Sequence, residues 1–233
     1  MKKAQGRQRL LTSDTQQAAK LITSWNHFRT VTTTPTFVDD SDWHDYSLSP
    51  LPSWLSISRL TAAADTLFYH SALLITFATH PFLPNTTPKK RLSSLSINGD
   101  GAEDLALNIN GEAAECLIYT PHGIPHTALT PIATADPPLH TLAFLHGLHD
   151  VSISNASQLN LGAKNGVLAQ RMLRAKYWVA THDEVKRGGG FISWFIRRKI
   201  WTLGDALKEA GGDTEFEDVR FQDMGNGESR VLE

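Results

Sequence analysis

Three short apolar runs in this sequence each end in a polar cluster that contains histidine. Leu117-Ile118-Tyr119 leads into Pro121-His122-Gly123, and Leu142–Leu145 leads into His146-Gly147-Leu148-His149-Asp150. Trp178-Val179-Ala180 leads into Thr181-His182-Asp183-Glu184. Imidazole is the commonest protein metal ligand near neutral pH. A catalytic zinc ion takes about three protein ligands and keeps one position open for water. Adjacent strands lie roughly 5 Å apart, so histidines at successive strand ends can converge. His182 followed directly by acids could supply a ligand and the carboxylate that orients a ligand. The competing reading is that Asp183 or Glu184 caps a following helix while His182 merely packs. In His146-Gly-Leu-His149 the glycine favours a turn, so one ring faces the cluster and the other solvent.

Other chemistry is poorly represented. His27, His44, His80, His126 and His140 fall in loops or on a polar helix face. There is no Gly-x-Ser-x-Gly elbow, and Cys116 sits inside a strand pattern as a small buried apolar residue. Gly188-Gly189-Gly190 lacks the context of a phosphate-binding loop and reads as a flexible connection. The stretch Lys186–Lys208 holds six basic residues against one acid, Asp205. There, Arg197-Arg198-Lys199 with Trp194, Phe195 and Trp201 could touch anions or a membrane surface. The preferred reading is a docked helix with a solvated edge.

The elements that must position the histidines follow from periodicity. Residues 9–13 read as a strand, and Gln16–Phe28 as an amphipathic helix carrying Ala18, Ala19, Leu21, Ile22, Trp25 and Phe28. Residues 30–53 read as irregular connection with one short strand. Trp54–Leu60 and Leu67–Phe77 read as strands paired across a turn at Ala62–Asp65. Residues 79–111, rich in Pro, Ser and Asn, read as a surface insertion, since loops of this length are uncommon inside a compact domain. Glu115–Thr120, Leu142–Leu145 and Tyr177–Ala180 read as strands, and Ala128–Ala133 as a short helix or turn. Gly162–Arg174 reads as a helix with Val167, Leu168, Met172 and Leu173 on one side. Phe191–Lys199 and Leu203–Ala210 read as helical, and 212–233 as an acidic tail. In α/β arrangements ligands sit beyond the carboxyl ends of the strands, which is where the histidines fall.

Composition narrows the classes. The chain has 233 residues, 41% of them hydrophobic and 20% charged, which argues against wholesale disorder. A formal charge of −2 gives no global attraction to nucleic acid or to an anionic membrane. One cysteine excludes an internal disulfide framework. No run approaches the roughly 18 apolar residues of a membrane-spanning helix. The basic, polar Met1–Leu10 segment does not read as a secretory signal. The expectation is a cytoplasmic protein with neither nucleic acid nor membrane as partner.

Several runs, taken in order, resemble a known family. They are Ile118-Tyr-Thr-Pro-His-Gly-Ile124, Leu142-Ala-Phe-Leu-His-Gly-Leu-His-Asp-Val151, Asn160-Leu-Gly-Ala-Lys-Asn-Gly166 and Tyr177-Trp-Val-Ala-Thr-His-Asp-Glu184. Upstream stand Ser24-Trp-Asn-His-Phe28, Pro50-Leu-Pro-Ser-Trp54 and Tyr69-His-Ser-Ala-Leu-Leu-Ile75. Together, over about residues 8–210, they resemble fungal proteins of the metallo-β-lactamase superfamily, in its lactonase-like branch. The resemblance implies an α+β fold, an αββα sandwich, spanning 1–211 and incomplete on its N-terminal side. The superfamily's H-x-H-x-D-H motif is absent from these residues, so the resemblance implies that the chain begins just after it.

The resemblance also implies roles. His182 matches the last histidine ligand, His122 falls where relatives usually carry a bridging aspartate, and His70 is the candidate for the middle histidine. These three imidazoles could hold one zinc ion. Asp183 or Asp150 would orient ligands or accept a proton, with His146 and His149 standing behind the ligands. The implied activity is hydrolysis of a small-molecule ester, lactone or phosphodiester by zinc-activated water, impaired by the missing motif. The alternative is a non-catalytic interaction or vestigial domain that keeps the fold. Its exposed sheet edge would favour self-association.

Overall fold

Small or apolar residues alternate with others over 55–61, 71–78 and 114–120, as a sheet with one fully buried face requires. The computed structural model describes residues 9–12, 16–28, 30–48, 51–62, 69–78, 114–154, 157–183, 189–209, 219–225 and 227–232. The expected 79–111 insertion and most of the 62–65 turn lie outside them. In chain order the elements are β1 (Arg9–Thr12), α1 (Gln16–Ser24), β2 (Thr30–Thr33), β3 (Leu55–Thr61), β4 (Ser71–Ala78) and β5 (Ala114–Thr120). Then come α2 (Thr130–Ala133), β6 (Leu139–His146), β7 (Asp150–Ile153), β8 (Ser157–Asn160) and α3 (Ala163–Leu173). The last are β9 (Tyr177–Ala180), β10 (Ile196–Lys199), α4 (Leu203–Glu209) and β11 (Arg220–Asp223).

The fold is α+β. A mixed six-strand sheet has the order β11-β9-β6-β5-β4-β3, a three-strand antiparallel sheet the order β10-β7-β8, and β1 pairs with β2. Strands β5, β6, β9 and β11 run parallel, whereas β3 and β4 are antiparallel. The carboxyl ends of β5, β6 and β9 therefore share one edge, and β4 begins at that same edge. A register shift between Cys116 and Leu117 lets β6 bury two consecutive residues, Ala143 and Phe144. The outer edge of β3 is partly covered, because Arg59 N–H donates to Pro35 O and Phe37 N–H to Arg59 O.

One core joins the buried face of the sheet to the helices. Leu60, Leu74, Ile118, Phe144 and Trp178 are closed to solvent, as are Leu129 and Val167 from the elements packed on them. Cys116 is buried among them, and desolvation pushes its thiol up to about 12, the signature of an inert core cysteine. The stripe that α3 buries is Ala163, Gly166, Val167, Ala169, Gln170 and Leu173, at helical spacing. Leu168 and Met172, expected on the inner side, are instead exposed.

Three further expectations need correction. The helix from Gln16 ends at Ser24 rather than Phe28. Asn26 adopts a left-handed φ of 53° there, and the Thr23 and Ser24 hydroxyls donate to carbonyls of Ala19 and Leu21. Phe191–Lys199 is not helical throughout. Residues 191–194 make a single 3-10 turn and β10 follows, pairing Ile196 with Ile153 and Lys199 with Asp150. Phe195, Ile196 and Ile200 suit a pleated surface, and pairing with β7 decides the outcome. Within the expected acidic tail, Arg220–Asp223 forms β11 and extends the large sheet beside β9.

Candidate functional site

The histidine that follows β5 is His122. Its backbone is held by Leu161 N–H, which donates to His122 O at 2.9 Å. Its ring stacks on Tyr69, centroids 4.3 Å apart and planes 20° apart. Nδ1 lies 3.0 Å from Asn160 Oδ1. The amide oxygen can only accept, so in this contact the proton sits on Nδ1 and Nε2 is the nitrogen that carries the lone pair. His182 meets the same ring edge to face, with centroids 5.2 Å apart. It follows β9 with a left-handed φ of 65°, a conformation uncommon outside glycine and concentrated at functional sites.

His70 enters the same region just before β4. Its Nδ1 is 3.3 Å from Gly123 O and its Nε2 3.2 Å from Gln158 O. Both ring nitrogens thus face carbonyl oxygens, and a neutral ring donates its one N–H to one of them. It packs edge-on to Tyr69 at 5.8 Å. Tyr69, His70, His122 and His182 therefore form one continuous chain of ring contacts at the sheet edge.

The carboxylates serve the backbone. Asp183 accepts Leu148 N–H at 2.6 Å and His149 N–H at 2.9 Å, binding the loop after β6 to the end of β9. Gly147 makes this approach possible, since a Cβ there would stand 2.6 Å from Thr181 O and 3.0 Å from Asp183 Oδ1. The ring of His149 lies beside the same carboxylate, Nδ1 to Oδ1 3.7 Å. Asp150 accepts Gly162 N–H at 2.9 Å and Trp201 Nε1–H at 2.6 Å, anchoring the start of α3 and the segment before α4.

His146 is wholly buried beneath this edge. Asn165 Nδ2 lies 3.5 Å from Nε2, and Nδ1 has no hydrogen-bond partner. Desolvation lowers the ring's pKa from 6.5 to about 4, opposed in part by backbone groups of Gly147 and of His146 itself. The ring is a neutral core element, tilted against Phe144 and edge-on to Trp178. Trp178 Nε1–H donates to His146 O at 3.0 Å.

The structure thus brings His70, His122 and His182 to one edge, and His149 beside Asp183. Asp150 is placed by its bonds between β8, α3 and Trp201. Among the described residues no three His, Cys, Asp or Glu side chains converge as a metal-binding group. Tyr69 and Asn160, which fix the ring of His122, carry no spacing that would mark them in the sequence. His44 bonds Asp42 and stacks on Trp43, His140 is exposed on β6, and His80 lies outside the described residues. Comparison with protein-family models, with curated proteins and with solved structures finds no match.

Proposed function

We propose that the chain is a metallo-β-lactamase-type hydrolase domain of the αββα class, with its site at the edge where β5 and β9 end. The observation that carries this reading is the edge-to-face pair of His122 and His182, together with the Asn160 contact that holds the His122 ring through Nδ1. A ring oriented through its second nitrogen is the usual arrangement for a metal-ligating histidine. The donor set, imidazole nitrogens with a carboxylate nearby, suits a zinc ion in kind. His122 and His182 would hold it, and His70 would join them once its ring turned from Gly123 O or Gln158 O. Such an ion, when bound, supplies a water of pKa about 7 for attack on an ester, lactone or phosphodiester.

The chain's own residues do the rest. Asn160 and Tyr69 fix one ring, while Asp183 holds the loop of residues 147–149 against the end of β9. His149 is the titratable side chain best placed beside Asp183. The test is zinc per chain by elemental analysis, beside a variant with His70, His122 and His182 all changed to Ala and checked for folding by circular dichroism. About one zinc, lost in the variant, supports the reading. Equal metal in both proteins overturns it and leaves the non-catalytic interaction domain as the better account.

A further inference from the structure

Five large apolar side chains within ten residues stand in solvent around the turn before β10 and the strand itself. Phe191 is 76% exposed, Trp194 86%, Phe195 45%, Ile196 40% and Ile200 66%. Soluble proteins seldom expose apolar residues so densely unless the patch meets something. The display is built rather than loose. Gly190 turns the chain with a φ of 80°, Ser193 N–H and Oγ–H both donate to Gly190 O, and Phe191 packs edge to face on Phe195 at 5.2 Å. Ser154 N–H donates to Phe195 O at 2.7 Å, tying the turn to the three-strand sheet.

Cations follow the aromatic residues directly. Arg197 and Lys199 are exposed and Arg198 is half-buried. Lys199 lies over the Trp201 ring, 3.6 Å from its centroid. Across β7 the paired residues are Ser152, Val151 and Asp150, and Asp150 accepts Trp201 Nε1–H and Gly162 N–H. The whole chain carries a charge of −2, so any attraction to anions is local to this strand.

We propose that this turn and strand dock on an anionic lipid surface, the aromatic rings entering the headgroup boundary and Arg197–Lys199 lying at the phosphates. Trp and Phe at a tip with cations immediately behind is the composition of an interfacial anchor, and basic residues near an anionic leaflet add attraction one by one. This revises the expectation of no membrane partner, which rested on net charge and on the absence of a spanning helix. It is independent of metal binding. Its geometric consequence concerns the candidate site, because β10 and β8 are opposite edges of one sheet. Asn160 on β8 would stand about two strand spacings, roughly 10 Å, from the docked strand.

The test is co-sedimentation of the full chain with phosphatidylcholine vesicles, with and without phosphatidylserine. Phosphatidylserine should raise binding more than about ten-fold, since each cation near the surface adds about five-fold. Changing Phe191 and Trp194 together to Ser should lower it about ten-fold or more through the lost apolar burial. Changing Arg197 and Arg198 to Gln should remove only the phosphatidylserine-dependent part. Equal, weak binding to both vesicles overturns the proposal. So does a dimer that the Phe191/Trp194 variant dissolves in the absence of vesicle binding, or salt-sensitive retention of RNA without vesicle binding. All the substituted side chains but Arg198 are exposed, and circular dichroism checks that each variant folds.

Discussion

Between pH 6.5 and about pH 4 the protein should lose stability through His146, the buried ring beneath the candidate site. Asn165 Nδ2 donates to Ile124 O at 2.7 Å and points its other proton toward His146 Nε2. Nε2 is therefore the acceptor of the neutral ring, and a second ring proton would meet an amide donor in a site closed to water. In the unfolded chain the ring takes up its proton as the pH falls past 6.5, whereas in the folded protein it stays neutral until about pH 4. The unfolded state binds more protons across that window, so folding stability falls as the pH falls. The full effect, at 1.36 kcal/mol per pH unit, is about 3 kcal/mol. That is a large part of the roughly 5–15 kcal/mol that holds a typical domain folded.

The assay is urea unfolding at neutral pH and near pH 4, on the wild type and on His146→Gln. Carboxylates also destabilise the folded state in acid, but they do so in both proteins and cancel in the difference. The wild type should lose about 3 kcal/mol more than the variant over this range. A difference below about 0.5 kcal/mol would refute the reasoning, being within the usual error of additivity. A second measurement needs no variant. The ring-proton resonance of His146 in the folded protein should not titrate near pH 6.5, and a midpoint there would refute the burial argument directly.

Gly166→Ala sets helix propensity against packing. Alanine within α3 should gain up to about 1 kcal/mol, but its Cβ would stand 2.5 Å from Trp178 Cζ2 and 3.1 Å from His146 Nδ1. Trp178 is buried and tethered through Nε1–H, so overpacking of about 1–3 kcal/mol should win, and thermal unfolding should show a lower Tm. Asp183→Asn should cost about 1–3 kcal/mol by replacing a charged acceptor of the Leu148 and His149 amides, with amide exchange at those two positions speeding up first. Cys116 should resist a thiol reagent at mildly alkaline pH in the folded protein, because burial raises its pKa to about 12, and should react at once in denaturant.

How much of this was legible depends on what each residue does. The ends of β5, β6 and β9 could be read because an apolar run and its polar stop are local, and of the histidines at those ends the structure brings His122 and His182 into contact. Strands β7 and β8 could not be read. They have only four residues each, and exist because β7 pairs with β8 on one side and with β10 on the other. The same pairing turned 196–199 into a strand, where apolar spacing alone leaves helix and strand undecided. His146 shows a subtler limit. The sequence makes it a twin of His122 and His182, but the alternation of β6 turns its ring into the core, where Gly123 and Gly166 leave just enough room.

The carboxylates carry this argument furthest. An aspartate next to histidine reads the same in sequence whether it moves a proton or holds an amide. The difference lies in where unpaired backbone donors fall. The loop after β6 leaves the N–H groups of Leu148 and His149 without strand partners, and the start of α3 leaves that of Gly162 free of the helix ladder. Asp183 and Asp150 answer those donors at 2.6–2.9 Å. Asp183 thereby holds the loop after β6, and Asp150 the start of α3. A carboxylate that accepts two amides still has lone pairs to spare, and the ring of His149 lies 3.7 Å from Asp183 with no hydrogen bond at Nδ1.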